Sequence, residues 1–482
     1  MERTVPSTAS EEIELYQRTY YSLLRSTAEV QIRALEEAHT RMKSLLHMKA
    51  PDLEPDMSAF VYCLLRLPAC MPGVSLVVLG QSTSVFTHGG FENIEAWEQV
   101  SAPARRRRCF YNGKETLACF IASRTDIDDV IPLLTAYQIE WNKIHWLIKQ
   151  LPASIWLDQL DNHQNFGNLA EALKISEDDL VHLQTIWGPE FSRNLKVIAA
   201  TPIRLRVQLL SGSFNEYRRA TRIWWENVQQ SIPHIHERPV YFVSSNPHSV
   251  VNLLSGFAQS NESELLAFLQ QSANQSLLEE WNRIQAEQVP SSRENFLYYT
   301  LKKYQQAGDG PASEPVMLAY EQGCGILRIP SRHSFDVETR VIELSRLNPD
   351  LLDGRLDGDL DFLWNSDALI LNIDYPLGMA AYNILSKVAE QIGEILGVYI
   401  TGKAATLNGV IGDVMIPNVV HDEQSQNTYL FPNAFIAADV APFLIYGTVM
   451  DNQKTVSVRG TFLQNAHYMD VFYREGYTDI EM

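Results

Sequence analysis

Cysteine is scarce in this chain: five in 482 residues, at Cys63, Cys70, Cys109, Cys119 and Cys324, with no C-x-x-C pair. An odd number at irregular spacing supports neither a disulfide framework nor a zinc site. Apolar runs fall short of the ~18 residues that a membrane-crossing helix needs. The opening residues MERTVPSTASEEIELY lack a signal-peptide core. The expectation is a soluble, cytoplasmic protein with no membrane partner. Positive charge is also in deficit, with 39 Lys+Arg against 58 Asp+Glu and a net charge of −19. From Glu237 onward there are 15 basic and 31 acidic residues. Phosphate backbones demand clustered cations, so a nucleic-acid polymer is excluded as a partner of that half. A pocket for one small anion is not. No internal repeat is visible, and no cofactor is expected.

What is present is a globular composition, 45% hydrophobic and 10% aromatic, long enough for two to four domains. The first half reads as helices. Ser10 with Glu11 and Glu12 forms a helix start, and the apolar periodicity from Ile13 runs on past Met42 to Leu46. Further helices are predicted over Met57–Leu67, Asp128–Lys149, Ser176–Trp187 and Phe214–Ile232. A strand at Val74–Gly80 and a hairpin around Asn112-Gly113 add a small β element. A break falls at Pro233–Pro239. Beyond it, strand–loop–helix alternation signals an α/β domain: a strand at Val240–Val243, a loop at Ser244–Ser249, helices at Val250–Phe257, Glu262–Gln285 and Ser291–Gln306, then a strand at Pro315–Tyr320. The fold expected is α/β, a mainly helical domain over 1–235 followed by an α/β domain with a mixed central sheet over 236–482.

Three charged motifs have plain explanations. The acidic stretch Asp353–Asp361 has Gly358 where an EF-hand needs glycine, but Arg355 and Trp364 occupy ligand positions, so it reads as a solvated turn. His234 and His236 sit in a proline-flanked linker without a carboxylate or Cys cluster. Arg105–Arg108, just before the hairpin, reads as an exposed basic run. The loop Ser244–Ser249 carries more weight, because it joins a strand to a helix start, where free N–H groups favour a phosphate or carboxylate. Its hydroxyls equally suit simple caps.

The strongest signal is a pair of segments. In Asp367–Glu390 a strand ends in a Pro-Leu-Gly turn and enters a helix. In Gly397–Gly409, followed by Gly412-Asp413-Val-Met-Ile-Pro417, a strand runs into small residues and a Gly-Asp launches the next strand. Small residues at strand carboxyl ends let a ligand approach the backbone. These segments resemble the nucleoside phosphorylase and nucleosidase superfamily. Gly378-Met379-Ala-Ala-Tyr-Asn is similar to its G-M-G-x-P-S turn. Gly402-Lys403-Ala-Ala-Thr406-Leu407 is similar to its G-T-x-G-x-L turn, and Tyr477–Met482 to the strand entering its Met-Glu pair. The resemblance spans about Val240 to Met482. Ala380 replaces a family glycine, Ile400 the strand arginine that helps hold phosphate, and Lys403 a Thr or Ser. The chain stops one residue before the family's ribose-binding Glu, so the domain is expected to be truncated.

The resemblance implies an N-glycosidic bond cleaved through an oxocarbenium-like sugar. The small-molecule partner is then a nucleoside or nucleotide, with phosphate or water as nucleophile. Ser245, Asn246, Gly378, Met379, Gly402, Lys403 and Thr406 are the expected anion- and substrate-binding residues. His421 and Asp422 are the catalytic candidates, and Phe462 is placed to stack on a ring. The family also implies a homo-oligomer. A catalytically silent nucleotide-binding module and a purely structural oligomer remain the alternatives.

Overall fold

The computed structural model describes residues 9–26, 28–151, 167–210, 214–271, 274–287, 292–307, 310–330, 337–356, 358–376, 378–444 and 446–481. The chain is mixed α/β, with three sheets among the described residues. Strands β1 (Val30–Gln31), β2 (Leu76–Gly80), β3 (Glu98–Ala102), β4 (Arg105–Tyr111), β5 (Thr116–Phe120) and β6 (Arg206–Leu209) form the first, in the order β1-β6-β2-β5-β4-β3. Strands β7 (Val240–Ser244), β8 (Ile326–Ile329), β9 (Thr339–Glu343), β10 (Leu369–Ile373) and β11 (Ile395–Ile400) form the second, in the order β11-β7-β10-β9-β8. The third joins β12 (Ala405–Thr406), β13 (Val414–Asp422), β14 (Asn427–Leu430), β15 (Val449–Ser457) and β16 (Asp479–Glu481), in the order β12-β16-β15-β13-β14.

The first half thus holds a six-stranded sheet where the sequence predicted a small β element. Two of its strands are hard to see: β1 has two residues, and β4 opens on four arginines. The first helix is Ala9–Ser26 and does not run to Leu46, because Val30 and Gln31 turn aside to pair with Val207 and Arg206. The strand expected at Pro315–Tyr320 is instead part of the helix Glu314–Gly323. Ser313 at the cap position and Pro315 in the first turn are helix-start residues, and Met317 and Glu321 bury one face at i, i+4 spacing.

The main core surrounds the helix Arg124–Lys149, whose Tyr137, Trp141 and Ile144 are at most 1% exposed. Burying side chains of this size contributes about 2–3 kcal/mol each. The end of the chain reaches back into this core. Phe462 and Leu463 pack within it, Asn465 Nδ2 donates to the Met42 carbonyl at 2.6 Å, and Leu45 N donates to the Gln464 carbonyl at 2.7 Å.

The first two sheets share one topology. In each, a central strand (β2, β7) is parallel to both neighbours (β5 and β6; β10 and β11). Two antiparallel strands (β4 then β3; β9 then β8) extend one side. In each, the connection from the second parallel strand passes the central strand to its far side and opens with a helix: Arg124–Lys149, followed by further helices, on the way from β5 to β6, and Gly378–Gln391 between β10 and β11. Two residues past the central strand, a polar side chain caps the next helix, Ser82 in one unit and Asn246 in the other. The chain therefore contains a repeated α/β unit that shows in the order and direction of its strands. The two crossing helices begin side by side, with Met379 N donating to Thr125 Oγ1 at 3.3 Å.

Candidate functional site

In each unit the chain leaves the two adjacent parallel strands in opposite directions. Ligands settle in open α/β sheets at such a divergence, outside the strand carboxyl ends. The β5 end and the start of β4 in the first unit face the β7 and β10 ends of the second. Between them lies a cleft of about 350 Å³, lined by the start of β4, the residues after β5 and the loops after β7 and β10. That volume suits a small molecule.

On the second unit's side, Asn246 ends the β7 loop. Its Oδ1 accepts from His248 N at 3.1 Å, and Pro247 fills the first helical position. The strand ends are tied together beneath it. Asn372 Nδ2 donates to Ser245 Oγ at 2.9 Å and to the Val243 carbonyl at 3.1 Å. Arg340, fully buried in β9, holds the loop from behind by donating to the Pro247 carbonyl at 3.0 Å while paired with Glu338 at 2.8 Å. Asp374, Tyr375 and Pro376 follow β10 into the cleft, and Tyr375 is half exposed.

The first unit supplies the positive charge. Arg105 and Arg107 lie on β4, two residues apart and so on one face. They pair with Asp129 at 3.0 and 2.7 Å. Burial alone would raise the Asp129 carboxyl, but the two guanidiniums outweigh it and hold the group below its ordinary value. Arg105 Nε and Arg107 Nε are buried without a hydrogen-bond partner. Arg108 also lines the cleft and rests over Phe110 and Phe120, 5.2 Å from each ring centroid. Asp126 Oδ2 accepts from the Ala122 and Ser123 backbone N–H groups at 2.8 and 3.0 Å at the helix start, and its Oδ1 lies 3.7 Å from Arg107. Among the described residues no group of His, Cys, Asp and Glu could hold a metal ion.

Of the residues expected from sequence, Asn246 lines the cleft and Ser245 adjoins it. Gly378 and Met379 open the helix that contributes Ala380 to its wall. Gly402 and Lys403 follow β11, on the other flank of β7, and both are exposed. Thr406 lies in the third sheet, where its Oγ1 accepts from Gly409 N at 2.8 Å and bonds the Thr478 carbonyl at 3.1 Å. His421 and Asp422 end β13 in that same sheet. His421 contacts Thr428, Phe472 and Tyr477, and Asp422 caps a turn by accepting from Gln424 N and Ser425 N. None of these three lines the cleft. Phe462, expected to stack on a ligand ring, is 3% exposed, among His39, His47 and Tyr62 in the main core. The arginine run is the opposite case, expected to be exposed but with Arg105 and Arg107 turned inward.

A family model matches residues 32–482, described as a family of unknown function, DUF6909. The chain belongs to DUF6909. No curated protein and no solved structure matches it. For this DUF6909 chain, the β4 arginines are the main residues that sequence reasoning missed, together with Asp374 and Tyr375 after β10. The arginines' alternation with Cys109, which is also buried, was the available signal.

Proposed function

We propose that the cleft between the two repeated units binds a phosphorylated small molecule of the nucleoside or nucleotide class. The observation that carries this reading is the arginine wall of the cleft, Arg105, Arg107 and Arg108, set against a helix start capped by Asn246, with Arg105 Nε and Arg107 Nε buried and lacking hydrogen-bond partners. A buried donor without an acceptor costs about 1–3 kcal/mol, and phosphate oxygens are acceptors that match a guanidinium. Tyr375 offers an exposed ring for a base to stack on.

N-glycosidic cleavage is the reaction that the sequence resemblance implies. In support of it, the cleft adds a carboxylate at Asp374, at the end of β10, where a sugar bound beside the phosphate would lie. His421 and Asp422 have no part in this arrangement. The test is a panel of nucleosides, nucleoside 5′-monophosphates and inorganic phosphate, scored for thermal stabilisation and for release of free base. Stabilisation by the monophosphates with base release supports both binding and cleavage. Stabilisation alone reduces the reading to a binding module. No response to any phosphorylated compound refutes it.

A further inference from the structure

The helices Phe214–Ser231 and Gly378–Gln391 pack side by side, and a second cavity of about 600 Å³ opens along their seam. From the first helix it is lined by Arg218, Arg219 and Arg222. From the second come Asn383, Lys387 and Glu390. Four cations in one groove stand out in a chain of net charge −19. Arg218 and Arg219 are exposed. Arg222 meets Glu226 at 3.6 Å and Lys387 meets Glu390 at 3.2 Å, pairs with three largely exposed members. Such surface pairs contribute little and yield readily to a stronger anion. Asn383 is only 9% exposed, and its Nδ2 is buried without a partner. Beside it Tyr382 is 66% exposed.

From this juxtaposition we infer that the groove is a second anion site, distinct from the cleft, that takes a ligand of the phosphate-ester class. The arginine forks hold the phosphate oxygens, the Asn383 amide donates to one more, and Tyr382 lies against any ring the ligand carries. A monocarboxylate leaves most of these donors unused, so the groove favours multiply charged phosphates.

The test is calorimetric titration of the full chain with inorganic pyrophosphate, comparing the native protein, Asn246→Asp and the double variant Arg219→Glu/Arg222→Glu. Both arginines are solvent-facing, and near-UV circular dichroism checks that the fold persists. Two sites are expected in the native chain. The double variant should weaken one by tenfold or more, as loss of charged hydrogen bonds predicts, and leave the other. Asn246→Asp should do the converse. One native site that survives Asn246→Asp and is lost in the double variant supports the groove and counts against the cleft. Pyrophosphate binding unchanged by the double variant, no binding at all, or capture of an acidic peptide in preference to pyrophosphate overturns the inference.

Discussion

Glu423 should make the protein less stable at alkaline pH, and Glu423→Gln should remove that effect. The residue follows β13 and is 2% exposed, with Oε1 lacking any partner. Its Oε2 has one weak donor, Arg459 N at 3.4 Å. The Arg459 guanidinium instead donates to the Glu423 carbonyl at 3.1 Å and reaches Gln17 and Glu14 on the first helix. Burial therefore dominates and lifts the carboxyl from 4.5 to about 7, with Arg459 opposing. A carboxyl raised on folding keeps a proton that the unfolded chain releases. Its contribution is fully present below about pH 4.5 and is lost as pH rises through 7. A shift of this size corresponds to about 3 kcal/mol. Glutamine mimics the protonated form, so the variant should match the native protein at pH 4.5 and exceed it by up to about 3 kcal/mol at pH 8. Thermal melts of both proteins across that range provide the comparison. Parallel pH profiles would refute the assignment of a buried, uncompensated charge.

Gly256 adopts φ +62°, and a Cβ there would run into the Leu351 carbonyl. Gly256→Ala should cost about 3 kcal/mol or more through that clash with rigid backbone, read as a lower melting temperature. Arg107→Ala leaves Asp129 buried with Arg105 as its ion-pair partner among the described residues, and losing a buried pair costs about 3–5 kcal/mol. Asp129 is held below its ordinary value, so the loss should shrink as pH falls through and below the carboxylate range; a loss that does not change with pH on the acid side would contradict the charge-based account. Tyr375→Ala should spare the melting temperature while weakening nucleoside monophosphates more than inorganic phosphate, since only the former have a ring to stack. Equal weakening of both would remove Tyr375 from base recognition.

The elements that declared themselves in sequence did so through local chemistry. Val240–Val243 reads as a buried strand leading through a polar loop into a helix, and Asn112-Gly113 as a hairpin; both stand in the structure, with the helix opening at Pro247 instead of Val250. The arginine run was misjudged because four like charges look solvated, although a strand sends alternate side chains to opposite faces. Distant carboxylates on the helix Arg124–Lys149, Asp129 first and Asp126 beside it, account for two of them being inside. The repeat escaped notice because it is conserved in strand order and direction, whereas Leu76–Gly80 and Val240–Ser244 share little in side chains. Phe462 was misplaced for a related reason: nothing local reveals that a segment over 400 residues from His39 closes the first core.

On the reading proposed above, the cleft between the two units holds a phosphorylated ligand. Asn246→Asp tests it most directly, because aspartate caps the helix as well as asparagine while placing a negative charge where the phosphate would sit. A like charge about 6 Å away at a partly solvated site costs about 1.4–3 kcal/mol, a tenfold or greater loss of affinity. The measurement is calorimetric affinity for purine and pyrimidine nucleoside 5′-monophosphates in the native and variant proteins. The account predicts binding in the native chain, weakened at least tenfold in a variant of unchanged melting temperature. Equal affinity in the two proteins, or no binding to either, would contradict it.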